Sequence, residues 1–551
     1  MRTPILATLS ALLALACKPA DPSLAADEAA DTGESDTDQG ECARAEFDPG
    51  PAPLRRLSAR QYANTLRDLF PGVTLPEPTI LVDPKVAGFE NNAAAQTPSA
   101  LLIEQYQRSA VEVTAAAIEQ AELWLGCPRD GGSDPQGCGE ALIDELAPRA
   151  FRRPLDPATR AIYVDFFHAN LAEHGFAVAI QLTVQALLQA PQFIYFVEST
   201  QSTPDPDAEV AALDDYSLAT RLAYFLWNTM PDAELFAAAE AGELSSDLGL
   251  ATQVERMLAD PRARVATVDF YRQWFDFDAI DRITPDLTTY PEFTPALRES
   301  MKQELERLAE WTVFDLEGSF SDLLLGPRGF VDAELAAIYE VPAPSDWQQV
   351  ELDPSQRAGI LTSAGFLASR AHPVQPSPVK RGVFVLEHLL CQPPPPPPPN
   401  VDTSVPAPTP ADPQTNRERY QAHTVDALCQ ACHVGIDGIG FGFEHYDSLG
   451  RWREQDNAQP VDASGHLFAS DVDGEFDGAI ELSAMLASSE VAHDCAVTHY
   501  LRWALARSPV ESDACFAAEL DEAFAASEGN LRALVVEIVL SDAFRSRRVE
   551  P

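Results

Sequence analysis

Positive charge is scarce in this sequence. Its 551 residues carry 38 Lys and Arg against 85 Asp and Glu, a formal net charge of -47. So negative a surface repels phosphates and anionic lipid, which excludes nucleic acid as a partner and charge-driven membrane binding. The same charge keeps a large chain soluble. Alternating apolar and polar runs are nearly absent, as are NG or DG turns set between such runs, so an all-β sandwich or barrel is excluded. There is no GxSxG, HExxH, P-loop or GxGxxG fingerprint. Acidic pairs are scattered, and nothing selects two of them for glycosidase-type acid/base work. After the first 17 residues no stretch is apolar enough to span a bilayer, so any membrane attachment would be through lipid.

What is present begins with an export signal. Arg2 precedes the apolar run ILATLSALLALA, which is of signal-peptide length and ends at Ala16-Cys17. This resembles a lipobox in which Cys17 is lipidated and becomes the mature N-terminus; ordinary cleavage nearby is the alternative. The expectation is an exported, lipid-anchored protein of a Gram-negative-type cell envelope, in the outer membrane or periplasm. Residues 18–50 are acidic, poor in aromatics and aperiodic, as in a disordered tether.

Beyond the tether the class is mainly α. Ser58 caps SARQYANTLRDLF, with Gln61 at the capping-box position, Leu57 and Tyr62 as a hydrophobic staple, and Tyr62, Leu66, Leu69 and Phe70 on one face. FAVAIQLTVQALLQ is an apolar helix stopped near Pro191. DDYSLATRLAYFLW starts after an acidic cap, places Leu218, Leu222, Phe225 and Leu226 together, and ends before Pro231. PALRESMKQELERLAEWTVF, CAVTHYLRWALARS and LRALVVEIVLSDAF are helical as well. Helical domains are expected over residues 51–125, 126–200 and 201–345, and a helical segment over 346–400 ends in seven prolines, Pro393 to Pro399. These prolines form polyproline II, acting either as a linker or as a strap packed across the body. A C-x-x-C-H module, cytochrome-c-like and helical, follows over 401–480, and a last helical domain over 481–551.

The chemistry concentrates in ALCQACHVGIDGIGFGFEHYDSLGRWRE. Cys429, Cys432 and His433 stand at i, i+3 and i+4, neighbours on one helical face, as two thiols and an imidazole must for covalent haem c. With 9 Cys and 10 His among 551 residues, a shuffled chain would hold roughly 0.003 copies of the motif. The glycines after it let backbone lie against a flat ring, Phe441, Phe443 and Tyr446 are candidates to wall it from water, and Arg451 or Arg453 to pair a propionate. Packing of this Gly-rich loop on the body is the alternative. The candidates for a second axial ligand are Met485, which would raise the potential, His423, which would lower it, and His499, better suited to a core or surface role. Rival readings are zinc on Cys429, Cys432, His423 and His433, or a disulfide or free thiols. A calcium site on Asp471, Asp473, Glu475 and Asp477 lacks the EF-hand spacing, and a solvated acidic turn is the better reading.

Export implies oxidised cysteines. Without Cys17, Cys429 and Cys432, six remain. Cys127 with Cys138 and Cys495 with Cys515 are close in sequence, which leaves Cys42 for Cys391; this is one choice among fifteen pairings.

Taken in order, PLRRLSARQYANTLRDLF, LAPRAFRRPLDPATR, LLQAPQFIYFVE, SLATRLAYFLWNTMPDAEL, GILTSAGFLASRAHPVQPSPVKRGVFVLEHLLCQPPPPPPP, CQACHVGIDGIGFGFEHYDSLGRWR and LVVEIVLSDAFRSR resemble a family of exported bacterial proteins built from the domains of unknown function 1587, 1595, 1592, 1588 and 1585. The resemblance covers Leu54 to Arg548. It implies a cytochrome-like cell-envelope protein but supplies no reaction. Larger relatives often carry an additional cytochrome-c-like domain that is not seen in this sequence. Members typically read IDP where this chain has Ile436-Asp437-Gly438, which implies a looser turn after the thiol helix, and His423 fits their pattern better than Met485.

The resulting expectation is an envelope protein with one haem c that relays electrons to a partner with a basic face, or serves a redox step on an extracellular substrate. A non-redox scaffold with a structural Cys/His pair, and a carbohydrate-active enzyme, are the alternatives.

Overall fold

Local capping starts the fold as read from sequence. In the computed structural model Ser58 Oγ accepts from Gln61 N while Gln61 Oε1 accepts from Ser58 N, closing a capping box on the helix Ala59–Leu69. Leu57, Tyr62, Leu66, Leu69 and Phe70 are all buried. The structure describes residues 47–201, 209–397, 414–423, 425, 427–468 and 470–549. Cys17, Cys42, most of the acidic tether, Pro398 and Pro399 lie outside these residues. From Asp48 onward the chain forms one unit.

The architecture is mainly α, and the sheets among the described residues are two-stranded ribbons. The N-terminal core gathers Ala100–Glu119, Pro135–Phe151, Pro157–His174 and Phe176–Leu188 around the first helix. Cys127 and Cys138 are disulfide-bonded at the start of this bundle's second long helix. A larger core extends from Phe89 to Phe544. Within it, Asp214 caps Asp215–Leu226 through Ser217 N, and that helix stops ahead of Pro231 with Asn228 at φ 55°. The C-terminus returns to the middle of the chain, where Ser546–Arg548 pairs antiparallel with Val210–Ala212.

Helix Pro378–Phe384 runs straight into a wider π turn, Val385–Leu389. Of the prolines that follow, Pro394 is half-buried, and Pro393, Pro395, Pro396 and Pro397 are exposed. The chain returns as Asn416–His423 and then Ala427–Gly440. Phe384 and Leu390, before the prolines, share one core with Ile439 and Phe443, after them. The helices on either side of the proline segment are thus parts of one packed body.

Two cysteine pairings differ from expectation, because Cys391, expected with Cys42, and Cys495, expected with Cys515, are bonded to each other. Cys495 bonds not to Cys515 but to Cys391, with Cα atoms 5.4 Å apart. Cys495 sits midway along Glu490–Leu505, on the buried face that docks against the Val385–Leu389 turn, whereas Cys515 opens the next helix. Docking across 104 residues of sequence outweighs nearness along the chain. Cys515 is disulfide-bonded as well.

Candidate functional site

Glycine positions the thiol helix. A Cβ on Gly382 would lie 1.9 Å from the Ile436 carbonyl oxygen, and one on Gly440 would lie 2.0 Å from that of Pro378. Helices Pro378–Phe384 and Ala427–Gly440 therefore cross backbone against backbone, which only glycine permits. The GIDGIG run serves this crossing. Gly438 lies inside the helix rather than in a turn after it, so the loosened turn implied by the family comparison is not found. Its carbonyl oxygen is instead approached by Gly465, whose Cβ would stand 2.2 Å away.

On this helix Cys429 is half-buried, Cys432 is exposed, and both thiols are unbonded. His433 follows, with Nδ1 3.1 Å from both Asp437 oxygens one turn on. Asp437 is 4% exposed. Its hydrogen bond raises the His433 pKa above the ordinary value, against the opposing effect of burial. The pair fixes the orientation of the imidazole through its Nδ1. Asp437 was legible only as an H-x-x-x-D spacing at i, i+4.

His433 opens onto a cleft of ≈ 780 Å³. Helix Ala427–Gly440 forms one wall, and the ribbon Ser464–Leu467 with Gly474–Asp477 forms the other. His466, Glu475 and Glu481 line it together with Phe441, over which the Arg417 guanidinium stacks at 4.4 Å. His466 Nε2 lies 2.8 Å from Asp473 Oδ1. These residues come from separate segments, and no spacing in the sequence marks them.

The other candidates fall in different places. Of the three aromatics read as walls, Phe441 lines the cleft, while Phe443 and Tyr446 are core residues at 0% and 1% exposure. The Tyr446 hydroxyl donates to Gln356 O at 2.6 Å. Arg451 pairs with Asp447 and Glu292, and Arg453 with Glu444 and Asp456, so both guanidinium groups serve the fold. Met485 packs against the core, near Gly474, and does not line the cleft. His499 is a core residue, stacked 5.0 Å from Trp274, and burial pushes its pKa well below the ordinary value. His423 ends the helix that contributes Arg417; its side chain lies outside the described residues.

Among the described residues, Cys429, Cys432 and His433 are not gathered as three ligands of a zinc site, and His423, the fourth candidate, has its side chain outside those residues. Among the described residues, the one group of three ligand atoms within 4.8 Å of each other is Cys391, Cys495 and His499, and there the two sulfurs are joined. The acidic run does not converge. Asp471 accepts from Ser489 Oγ and Glu490 N at the start of a helix, Asp473 holds His466, and Glu475 and Asp477 are exposed on a strand.

The fold and site define a multi-segment helical protein with an open thiol–imidazole helix. Five family models match it in succession, each described as a protein of unknown function: DUF1587 at residues 55–119, DUF1595 at 138–198, DUF1592 at 213–341, DUF1588 at 357–456 and DUF1585 at 473–544. The chain belongs to the family assembled from these domains in this order. The DUF1588 match, with the short name PSCyt3, contains both crossing helices and the C-x-x-C-H motif. No curated protein and no solved structure matches the chain. No described helix is long and apolar enough to cross a membrane.

Proposed function

We propose that Cys429, Cys432 and His433 hold one covalent haem c, and that the protein transfers electrons, or serves a redox step, at the cell envelope, anchored through a lipid on Cys17. One observation carries this reading. Cys127, Cys138, Cys391, Cys495 and Cys515 are all disulfide-bonded, whereas the two thiols of C-x-x-C-H are unbonded, Cys429 half-buried and Cys432 exposed. In an oxidising compartment such thiols need another partner.

The residues fit the group. The thiols sit one turn apart beside an imidazole whose Nδ1 is held by Asp437, the carboxylate–histidine arrangement that raises ligand basicity. Bound there, haem iron would supply a one-electron couple whose potential depends on its axial ligands. His433 Nε2 is the candidate axial donor. For the other position the candidates are His423, which ends the helix carrying Arg417 and fits the family pattern better, and Met485, which does not line the cleft. Phe441 and the ribbon shield one side of the cleft, and Asp437, Glu475, Asp477 and Glu481 make it acidic, which suits a partner with a basic face.

The test is a pyridine haemochrome spectrum and haem-stained denaturing gel on protein made with a cytochrome c maturation system. A c-type band that disappears in the Cys429→Ala/Cys432→Ala variant is expected. A colourless wild-type protein from a host that loads other c-type cytochromes would overturn the reading and leave C-x-x-C-H as a structural element.

A further inference from the structure

We propose that the cavity bounded by Arg370, Lys380 and His388 binds a small organic carboxylate with a short apolar body. The cavity measures ≈ 430 Å³ and lies on the far side of helix Pro378–Phe384 from the thiol helix. Lys380, Val383 and Phe384 line it, while Pro378 and Gly382 of the same helix meet the thiol helix backbone. A ligand there lies about one helix diameter, ~10 Å, from Ala427–Gly440.

The polar groups are arranged for an anion. Arg282 and Lys85 both pair with Asp276, at 2.6 and 3.3 Å, so this lining carboxylate is already matched. Glu387 is exposed at the rim. Arg370 is 7% exposed, clamped over the Phe366 and Phe384 rings, and donates to Ser369 Oγ and Phe275 O. The contrast with Arg381, also buried, is instructive. Arg381 donates through its two terminal nitrogens to four backbone carbonyls, those of Leu367, Phe443, Tyr446 and Asp447, with only its Nε left buried and unpartnered, and it faces the core rather than the cavity. Arg370 has two acceptors and lines open space, and the carboxylate whose charge acts on it, Asp276, is shared with Arg282 and Lys85, so three cations face one anion there. Lys380 Nζ reaches only the Ala371 carbonyl, at 2.9 Å.

His388, which lines the cavity, carries a further unexplained polar group. Its Nδ1 is buried and has no hydrogen-bond partner in the protein, and such atoms call for an explanation. The ring is stacked 4.6 Å from Phe384 on the π turn, a local widening that recurs at functional sites. Burial pushes the His388 pKa down to about 4, so at neutral pH the ring is an uncharged hydrogen-bonding group. Ala279, Ile283 and Val383 complete an apolar wall. A cation pair, a neutral imidazole and an apolar wall together select a carboxylate carrying a small hydrocarbon or hydroxylated body over a bare inorganic anion.

The test is calorimetric titration of the full chain with acetate, lactate, isobutyrate and benzoate, with the matched uncharged amides and inorganic phosphate as controls. At least one carboxylate should saturate a single site, with its amide and phosphate at least tenfold weaker. Lys380→Gln, an exposed position that leaves the fold intact, and His388→Phe should each weaken that carboxylate at least several-fold, and Arg370→Gln more. No saturable binding at millimolar concentration, equal binding of the amide, or unchanged affinity in Lys380→Gln and His388→Phe would overturn the proposal. The Cys429→Ala/Cys432→Ala protein should bind the carboxylate as the wild type does, so failure of the haem reading and failure of this one are distinguishable.

Discussion

Glu304 shows how much a single buried carboxyl controls. It is 2% exposed, accepts from the Tyr339 hydroxyl, and accepts from Gly365 N at 3.2 Å. Burial outweighs these bonds and pushes its pKa up to about 7 from an ordinary 4.5. A carboxyl whose folded pKa is raised binds its proton more tightly in the native state. Its favourable contribution is therefore complete below about pH 4.5 and is lost as pH rises through about 7. At ~1.4 kcal/mol per pKa unit, the loss reaches ~3 kcal/mol at most. Denaturant midpoints measured from pH 4.5 to 8 should decline in the wild type, while Glu304→Gln should flatten that slope and match or exceed wild-type stability at pH 8. An unchanged slope in the variant would assign the pH dependence to other groups.

At the scale of elements, two glycines of the thiol region behave oppositely for reasons visible in their surroundings. Gly382 meets the Ile436 carbonyl where a side chain would be, so Gly382→Ala forces the two helices apart. The expected cost is roughly 1–3 kcal/mol by overpacking. Gly435 lies in the thiol helix itself, with nothing within 4 Å of a built Cβ. Gly435→Ala should stabilise by about 0.5–1 kcal/mol through helix propensity. Chemical denaturation of both variants checks the pair, and equal effects would mean that the crossing is not as tight as described. Element boundaries were largely legible. Ser58, Asp214 and Pro231 announce their helix ends through side-chain capping and a missing amide hydrogen, both local effects. The role of the GIDGIG glycines was not, because a glycine run reads the same whether it faces a ring, a turn or another helix.

At the scale of the molecule, the Cys391–Cys495 bond ties the segment before the prolines to the penultimate stretch of helices. It closes a loop of 104 residues, against 11 for Cys127–Cys138. Chain-entropy reasoning makes the longer loop worth more, by roughly 1–2 kcal/mol, on a typical total of about 2–4. Cys391→Ser/Cys495→Ser should therefore lower the unfolding midpoint further than Cys127→Ser/Cys138→Ser. It should also expose Glu490–Leu505 to proteolysis, since that helix docks where the bond lies. Equal losses would show that the body between the two cysteines is already held by packing alone.

The sequence by itself determined the helical class, the caps, the order of the five domains and the C-x-x-C-H face, because each depends on residues within a few positions of one another. The partner of Cys495, the acidic cleft before His433 and the cavity around Arg370 and His388 were decided only by tertiary structure. Each joins residues tens to hundreds of positions apart, brought together by burial of apolar surface that carries no address for its partner. The most local of the tertiary features, the bond from His433 to Asp437, stands between the two: its spacing was in the chain, and burial of Asp437 beside the crossing helices turned that spacing into a fixed imidazole.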